Sequence, residues 1–129
     1  MKLENNENCF VCGKENKDGL KLDFIVKNKR ITANFSFDSR FQGFSGIIHG
    51  GIIATILDEA MVKLAFELGF NSVSANLNIN LKKPVKPGER VVVTGEIIRE
   101  FERKLKARAQ LRKEDGTLAA EAEGILVKI

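Results

Sequence analysis

From about Gly51 to Leu68 the chain carries no proline and no glycine beyond Gly51 itself. It is apolar at Ile52, Ile53, Ile56, Leu57, Ala60, Met61, Leu64, Ala65 and Leu68. At about 100° per residue these positions cover well over half of a helix circumference. A helix that apolar cannot rest on a surface with one side in water; other elements must wrap around it. Gly69 follows as a natural C-terminal stop. The rest of the patterned sequence has period two, so the wrapping has to come from strands.

Ahead of the helix, Leu20, Leu22, Phe24 and Val26 alternate with Lys21, Asp23, Ile25 and Lys27, the pattern of a half-buried strand. Lys27 to Arg30 turns the chain. Ile31, Ala33, Phe35 and Phe37 then alternate with Thr32, Asn34, Ser36 and Asp38, which completes an antiparallel hairpin. Behind the helix, Leu77, Ile79 and Leu81 alternate with Asn76, Asn78, Asn80 and Lys82, and Lys83 to Gly88 forms a turn. Arg90 to Phe101 is β-branched and apolar. Leu105, Ala107, Ala109 and Leu111 alternate with basic and polar residues, and the tight-turn pair Asp115-Gly116 leads into a last strand from Leu118 to Val127. Strand, strand, one long buried helix, then three or four strands predicts an α+β fold, an antiparallel sheet curling around the helix. The outer face of such a sheet, and part of the helix, still need cover. Association into a homodimer at least, with a homotetramer as the larger option, supplies it.

The 129 residues, 43% of them hydrophobic, form one domain over 1–129 with an irregular leader at 1–19. No apolar run follows Met1, so the expected setting is cytoplasmic, away from the membrane, with reduced thiols. The net charge of +4 suits a small anionic ligand. All nine aromatics are Phe, and most lie in apolar-periodic stretches instead of alternating with Lys and Arg, so a nucleic-acid partner is not expected. Cys9-Phe-Val-Cys12-Gly13 has the spacing of a zinc knuckle or a redox pair. A full zinc site needs about four ligands, and His49 is the only further candidate. The expectation is two reduced cysteines beside a turn glycine and no metal, with a zinc shared between subunits or a labile disulfide as the alternatives.

The chemistry concentrates between Phe41 and Asp58, which hold the only histidine and four of the eleven glycines. A helix start presents unpaired N–H groups. Asp58 sits among Ala54, Ile56, Leu57, Met61 and Val62, a setting that solvates a charge poorly and suits a catalytic acid or base. Gly50 and Asp58 lie about 12 Å apart along a helix axis, too far for both to touch one reacting carbonyl. If they act together, they come from different subunits. Glu59, with Lys63 one turn on, fits an exposed helix face and is the weaker carboxylate.

His49-Gly50-Gly51 with Asp58, preceded by Phe41-Gln-Gly-Phe-Ser-Gly46 and set in a single long helix within an antiparallel sheet, resembles the hotdog-fold acyl-CoA thioesterases. The subgroup it resembles most is the phenylacetate-pathway type, whose opening the leader Cys9 to Asn16 with Gly19-Leu20 also resembles. The resemblance implies hydrolysis of an acyl-CoA or related thioester without metal or cofactor, coenzyme A being part of the substrate. It implies Asp58 as general base or nucleophile, and Gly50 as the residue whose N–H polarises the thioester carbonyl. His49, Gly51, Gln42 and Ser74 are implied in positioning substrate or water. Where relatives often carry a polar residue this chain has Gly43, with Gln42 one position earlier. Lys82, Lys83, Lys86, Arg99, Arg103, Lys104, Lys106, Arg108 and Arg112 are candidates for the coenzyme phosphates, and Ile47, Ile48, Met61 and Phe66 for the acyl pocket. A non-catalytic acyl-CoA-binding domain of the same fold is the alternative; a small zinc or nucleic-acid protein fits less well.

Overall fold

The structure, a computed structural model, describes residues 2–129. Its strands are β1 (Ile25–Lys27), β2 (Arg30–Ser36), β3 (Ser72–Leu81), β4 (Arg90–Glu100), β5 (Lys104–Lys113) and β6 (Leu118–Lys128), and its helix is α1 (Gly50–Glu67). The strands pair antiparallel in one sheet of order β1-β2-β4-β5-β6-β3. The expected α+β wrap of sheet around helix is what forms.

The periodicity explains the packing. Ile53, Ile56, Leu57, Ala60, Met61, Leu64 and Ala65 of α1 are buried. They share one core with Val91 and Val93 of β4, Leu105, Ala107, Ala109 and Leu111 of β5, and Ala120, Ala122 and Leu126 of β6. Two strand glycines let the helix come close: a Cβ on Gly95 would stand 3.4 Å from the Ala60 carbonyl oxygen, and one on Gly124 would stand 3.1 Å from Met61 Sδ. At the far end the helix stops as Gly69 takes φ +95°. There Phe70 N–H donates to Ala65 O and Gly69 N–H to Phe66 O, the paired bonds of a Schellman stop.

The first strand is shorter than its alternation predicts. Side chains 20–27 keep the in-and-out burial pattern, yet only Ile25–Lys27 pairs with β2. The reason lies in the leader, which has no regular elements but is tightly docked. Leu20 and Leu22 donate their N–H groups to Phe10 O and Val11 O, both at 2.8 Å, while Lys21 between them takes φ +53°. Backbone groups spent on the leader are not available to a strand. Val11 is buried in the core, and the Phe10 ring meets Phe41 edge-on.

Strand β3 is an edge, paired only with β6. A β-bulge shifts its register between Ser74 and Asn76. Ser72 and Ser74 lie opposite Lys128 and Leu126, whereas Leu77, Ile79 and Leu81 lie opposite Gly124, Ala122 and Ala120. The extra residue switches the helix-facing set from even to odd positions, so Ser74 shares a face with Leu77, Ile79 and Leu81.

Candidate active site

The N-terminus of α1 is closed by its own histidine. His49 is the N-cap, and its Nδ1 accepts the Gly51 N–H at 2.9 Å. The His49 carbonyl accepts from Ile52 and Ile53 at 3.0 and 3.3 Å. Of the orphan donors that open a helix, those of residues 51, 52 and 53 are therefore engaged. The Gly50 N–H has no acceptor among the described residues. It borders a cavity of about 450 Å³ lined by Gly43, Phe44, Ile47, Ile48, His49 and Gly50. A Cβ on Gly50 would stand 2.7 Å from Leu81 Cδ1 at the end of β3.

Two turns further along α1 is Asp58, half-buried. Ser74 lies close enough to its carboxylate to favour the charged form, while Oδ1 of the same group is buried with no hydrogen-bond partner among the described residues. Burial pushes the Asp58 pKa above the ordinary carboxylate range; Ser74 opposes that rise, and the neighbouring Glu59 charge adds to it. A half-buried carboxylate with an unpartnered oxygen can take a proton from water or attack a carbon. Gly50 and Asp58 thus both face β3, one beside Leu81 and the other beside Ser74.

Several expected residues have other work here. Gly51 spends its N–H on His49, so both act as parts of the helix cap. Gln42 is tied at both ends of its amide: Nε2 donates to Ser39 O at 2.7 Å and Oε1 accepts from Gly46 N at 2.6 Å. Together with the bridge between Gln42 and Ile48 this braces the loop ahead of the helix. Met61 is fully buried against Gly124, and Phe66 lines a separate hollow near Leu3, so of the proposed acyl-pocket residues only Ile47 and Ile48 border the cavity at Gly50. Glu59 does not pair with Lys63, which bonds to Glu67 at 3.7 Å; Glu59 instead accepts from the Cys9 thiol at 3.3 Å. Burial and the Glu59 carboxylate make the Cys12 thiol a far weaker acid than an ordinary cysteine.

Most of the basic candidates are occupied. Lys82 pairs with Glu121, Lys106 with Glu123 and Arg108 with Glu96, while Arg112 donates to Gly116 O. Arg99 and Lys104 lie over the Phe101 ring. Lys83 and Lys86 are exposed and make no salt bridge among the described residues. They flank Val85, whose carbonyl accepts the Ile48 N–H at 2.8 Å, so the 83–88 turn is fastened to the cavity loop.

A family model described as the thioesterase superfamily matches residues 45–120. The chain is 35% identical over 118 residues to acyl-coenzyme A thioesterase THEM4 of Bos taurus, covering 88% of this chain and 48% of that one. The chain thus spans about half the length of the curated relatives it matches. In fold it is similar to the PaaI protein of the E. coli phenylacetic acid degradation operon, with a TM-score of 0.79 at 15% identity over 85% of this chain and 80% of that one. It is similar also to a hypothetical thioesterase protein from Streptococcus pneumoniae TIGR4 solved with coenzyme A, with a TM-score of 0.79 at 16% identity over 84% and 85% of the two chains.

Proposed function

The chain belongs to the thioesterase superfamily, and from that premise we propose that it hydrolyses acyl-CoA thioesters with Asp58 and the Gly50 N–H as its catalytic groups. The observation that carries this reading is the Asp58 carboxylate, half-buried beside Ser74 with its Oδ1 buried and without a hydrogen-bond partner among the described residues. Asp58 takes a proton from water as the new C–O bond forms at the thioester carbon, or attacks that carbon directly to give a mixed anhydride that water then hydrolyses, releasing the acid and restoring the carboxylate. Negative charge gathers on the carbonyl oxygen, where the free Gly50 N–H and the positive end of α1 stabilise it. Collapse breaks the C–S bond, and coenzyme A leaves as a thiolate that takes up a proton. The acyl group enters the hollow between Phe44, Ile47 and Ile48, and Lys83 and Lys86 meet the phosphates.

A second copy completes the site. Gly50 and Asp58 of one helix stay about 12 Å apart, and both border β3, an edge strand on which Val73, Leu77 and Leu81 are 40%, 39% and 55% exposed. A long apolar edge of this kind pairs with another strand or is covered. Pairing β3 with β3 about a twofold axis sets the Gly50 end of one protomer beside Asp58 of its partner, giving a homodimer with two equivalent sites.

The test is thiol release across an acyl-CoA panel. Wild type should turn over at least one member, and Asp58→Asn should lose about 100-fold or more in kcat, the usual scale for a general base. Binding of acyl-CoA without turnover in wild type would instead fit a non-catalytic member of the fold.

A further inference from the structure

A second cluster lies where the leader meets the middle of α1, and the proposed hydrolysis leaves it unused. Cys9, Cys12 and Glu59 each offer one ligand atom, and the three atoms lie within 4.8 Å of one another. Cys9 Sγ stands 3.3 Å from Glu59 Oε2. In a tetrahedral site with sulfur about 2.3 Å and oxygen about 2.0 Å from zinc, adjacent ligand atoms stand about 3.5 Å apart, so the Cys9–Glu59 pair already has that spacing and the other separations need to close by no more than about 1.3 Å. Sequence spacing pointed to His49 as the extra ligand, but His49 is the N-cap and lies about 15 Å along the helix from Glu59. The third ligand comes instead from a residue fifty positions away from Cys9 in the chain.

The cysteine loop is held in shape by the protein. Gly13 N–H donates to Cys9 O at 2.9 Å, and a Cβ on Gly13 would stand 2.3 Å from Cys9 N, so the turn closes only with glycine. Phe10 and Val11, the two residues between the cysteines, accept the Leu20 and Leu22 N–H groups. The thiols are therefore presented to Glu59 by a fixed scaffold.

An independent observation lies in the cavity beside them. This hollow of about 290 Å³ is lined by Cys9, Cys12, Glu59, Lys63, Phe66 and Ser72 among others. Ser72 is only 2% exposed, and its hydroxyl has no hydrogen-bond partner among the described residues. Buried hydroxyls are rarely left so, and this one lies in the wall of the same hollow. Charge also fits: two thiolates and a carboxylate carry three negative charges, a divalent cation leaves one, and the Lys63 ammonium in the wall, shared with Glu67, lies beside it.

We infer that Cys9, Cys12 and Glu59 bind a thiophilic divalent cation of the zinc class, with the remaining coordination position open to the cavity that Ser72 lines. Thiolate ligands select zinc over magnesium or calcium. Binding displaces the thiol protons, and the ion ties the leader to α1. This inference does not depend on the thioesterase reading.

The full chain, reduced and freed of metal, should be titrated with Co²⁺ alone. The expected result is a thiolate-to-cobalt charge-transfer band saturating at about one equivalent per chain, abolished by added Zn²⁺. Alkylation of Cys9 and Cys12 in wild type should slow at least about 10-fold when Zn²⁺ is present. Glu59→Gln keeps both thiols and should weaken Zn²⁺ binding about 10-fold or more, the scale on which metal sites respond to loss of supporting groups. No charge-transfer band on fully reduced protein, alkylation rates indifferent to Zn²⁺, or unchanged affinity in Glu59→Gln would overturn the assignment.

Discussion

A bulge in β3 turns Ser74 to the side of the Asp58 carboxylate, whose charged form it favours. By strict alternation Ser74 would face away from Leu77, Ile79 and Leu81; the register shift between Ser74 and Asn76 puts all four on the helix side. One strand thereby carries the contact to the carboxylate near its start and the contact to Gly50 at its end.

Ser74→Ala removes a hydroxyl that favours the charged form of Asp58. The Asp58 pKa should rise further above the ordinary range, and the acid limb of the kcat/KM profile should move to higher pH. At neutral pH the loss should be about 10-fold, corresponding to roughly 1.5 kcal/mol, the lower end for a hydrogen bond to a charged group. An acid limb that stays in place would remove Ser74 from the tuning of this group.

Asp58→Asn should make the fold more stable at neutral pH while it abolishes turnover. The folded carboxyl has a raised pKa, so its favourable contribution is fully present below the unfolded value and is lost as pH rises through the folded one. Asparagine does not titrate. The difference in Tm between mutant and wild type should therefore be positive near pH 7 and shrink below the ordinary aspartate range. A mutant less stable at pH 7 would show that Asp58 is a paired structural charge. Both measurements belong on metal-stripped protein, so that the Glu59 charge is unscreened.

Gly50→Pro tests the helix N–H directly. Gly50 is the first residue of α1, where proline is well tolerated, and His49 before it has φ −59° and ψ 129°, a conformation that proline accepts. The variant should fold and lose about 10²–10³ in kcat, the cost of deleting one oxyanion donor. Gly50→Ala keeps the N–H and only crowds the exposed, movable Leu81 side chain. Equal losses in the two variants would assign the effect to crowding instead.

His49→Ala should cost about 1 kcal/mol of stability through loss of the helix cap, whereas His49→Asn should restore most of it. Denaturant melts of the two variants decide this. If both are as stable as wild type, the Nδ1 bond to Gly51 contributes nothing to the helix.

Much of this molecule could be read from local patterns. The helix and the strands behind it follow from period 3.6 and period 2, and the Gly69 stop from its position after Leu68. What could not be read depends on contacts distant in sequence. Lys63 sits at the right spacing for Glu59, but the leader delivers Cys9 to that carboxylate and Glu67 takes the lysine. Leu20 to Phe24 alternates like a strand, but Phe10 and Val11 capture its backbone. The bulge at Ala75, on which the Ser74 contact rests, interrupts no pattern that the residue types mark.

The account stands most directly on subunit complementation. Gly50→Pro and Asp58→Asn, each inactive alone, should be mixed in equal amounts and allowed to exchange, with mixed dimers verified by native mass spectrometry. If one protomer supplies the N–H and its partner the carboxylate, each mixed dimer holds one intact site, and about a quarter of wild-type activity should return on the twofold symmetry argument. No recovery with mixed dimers present would contradict a site shared between copies.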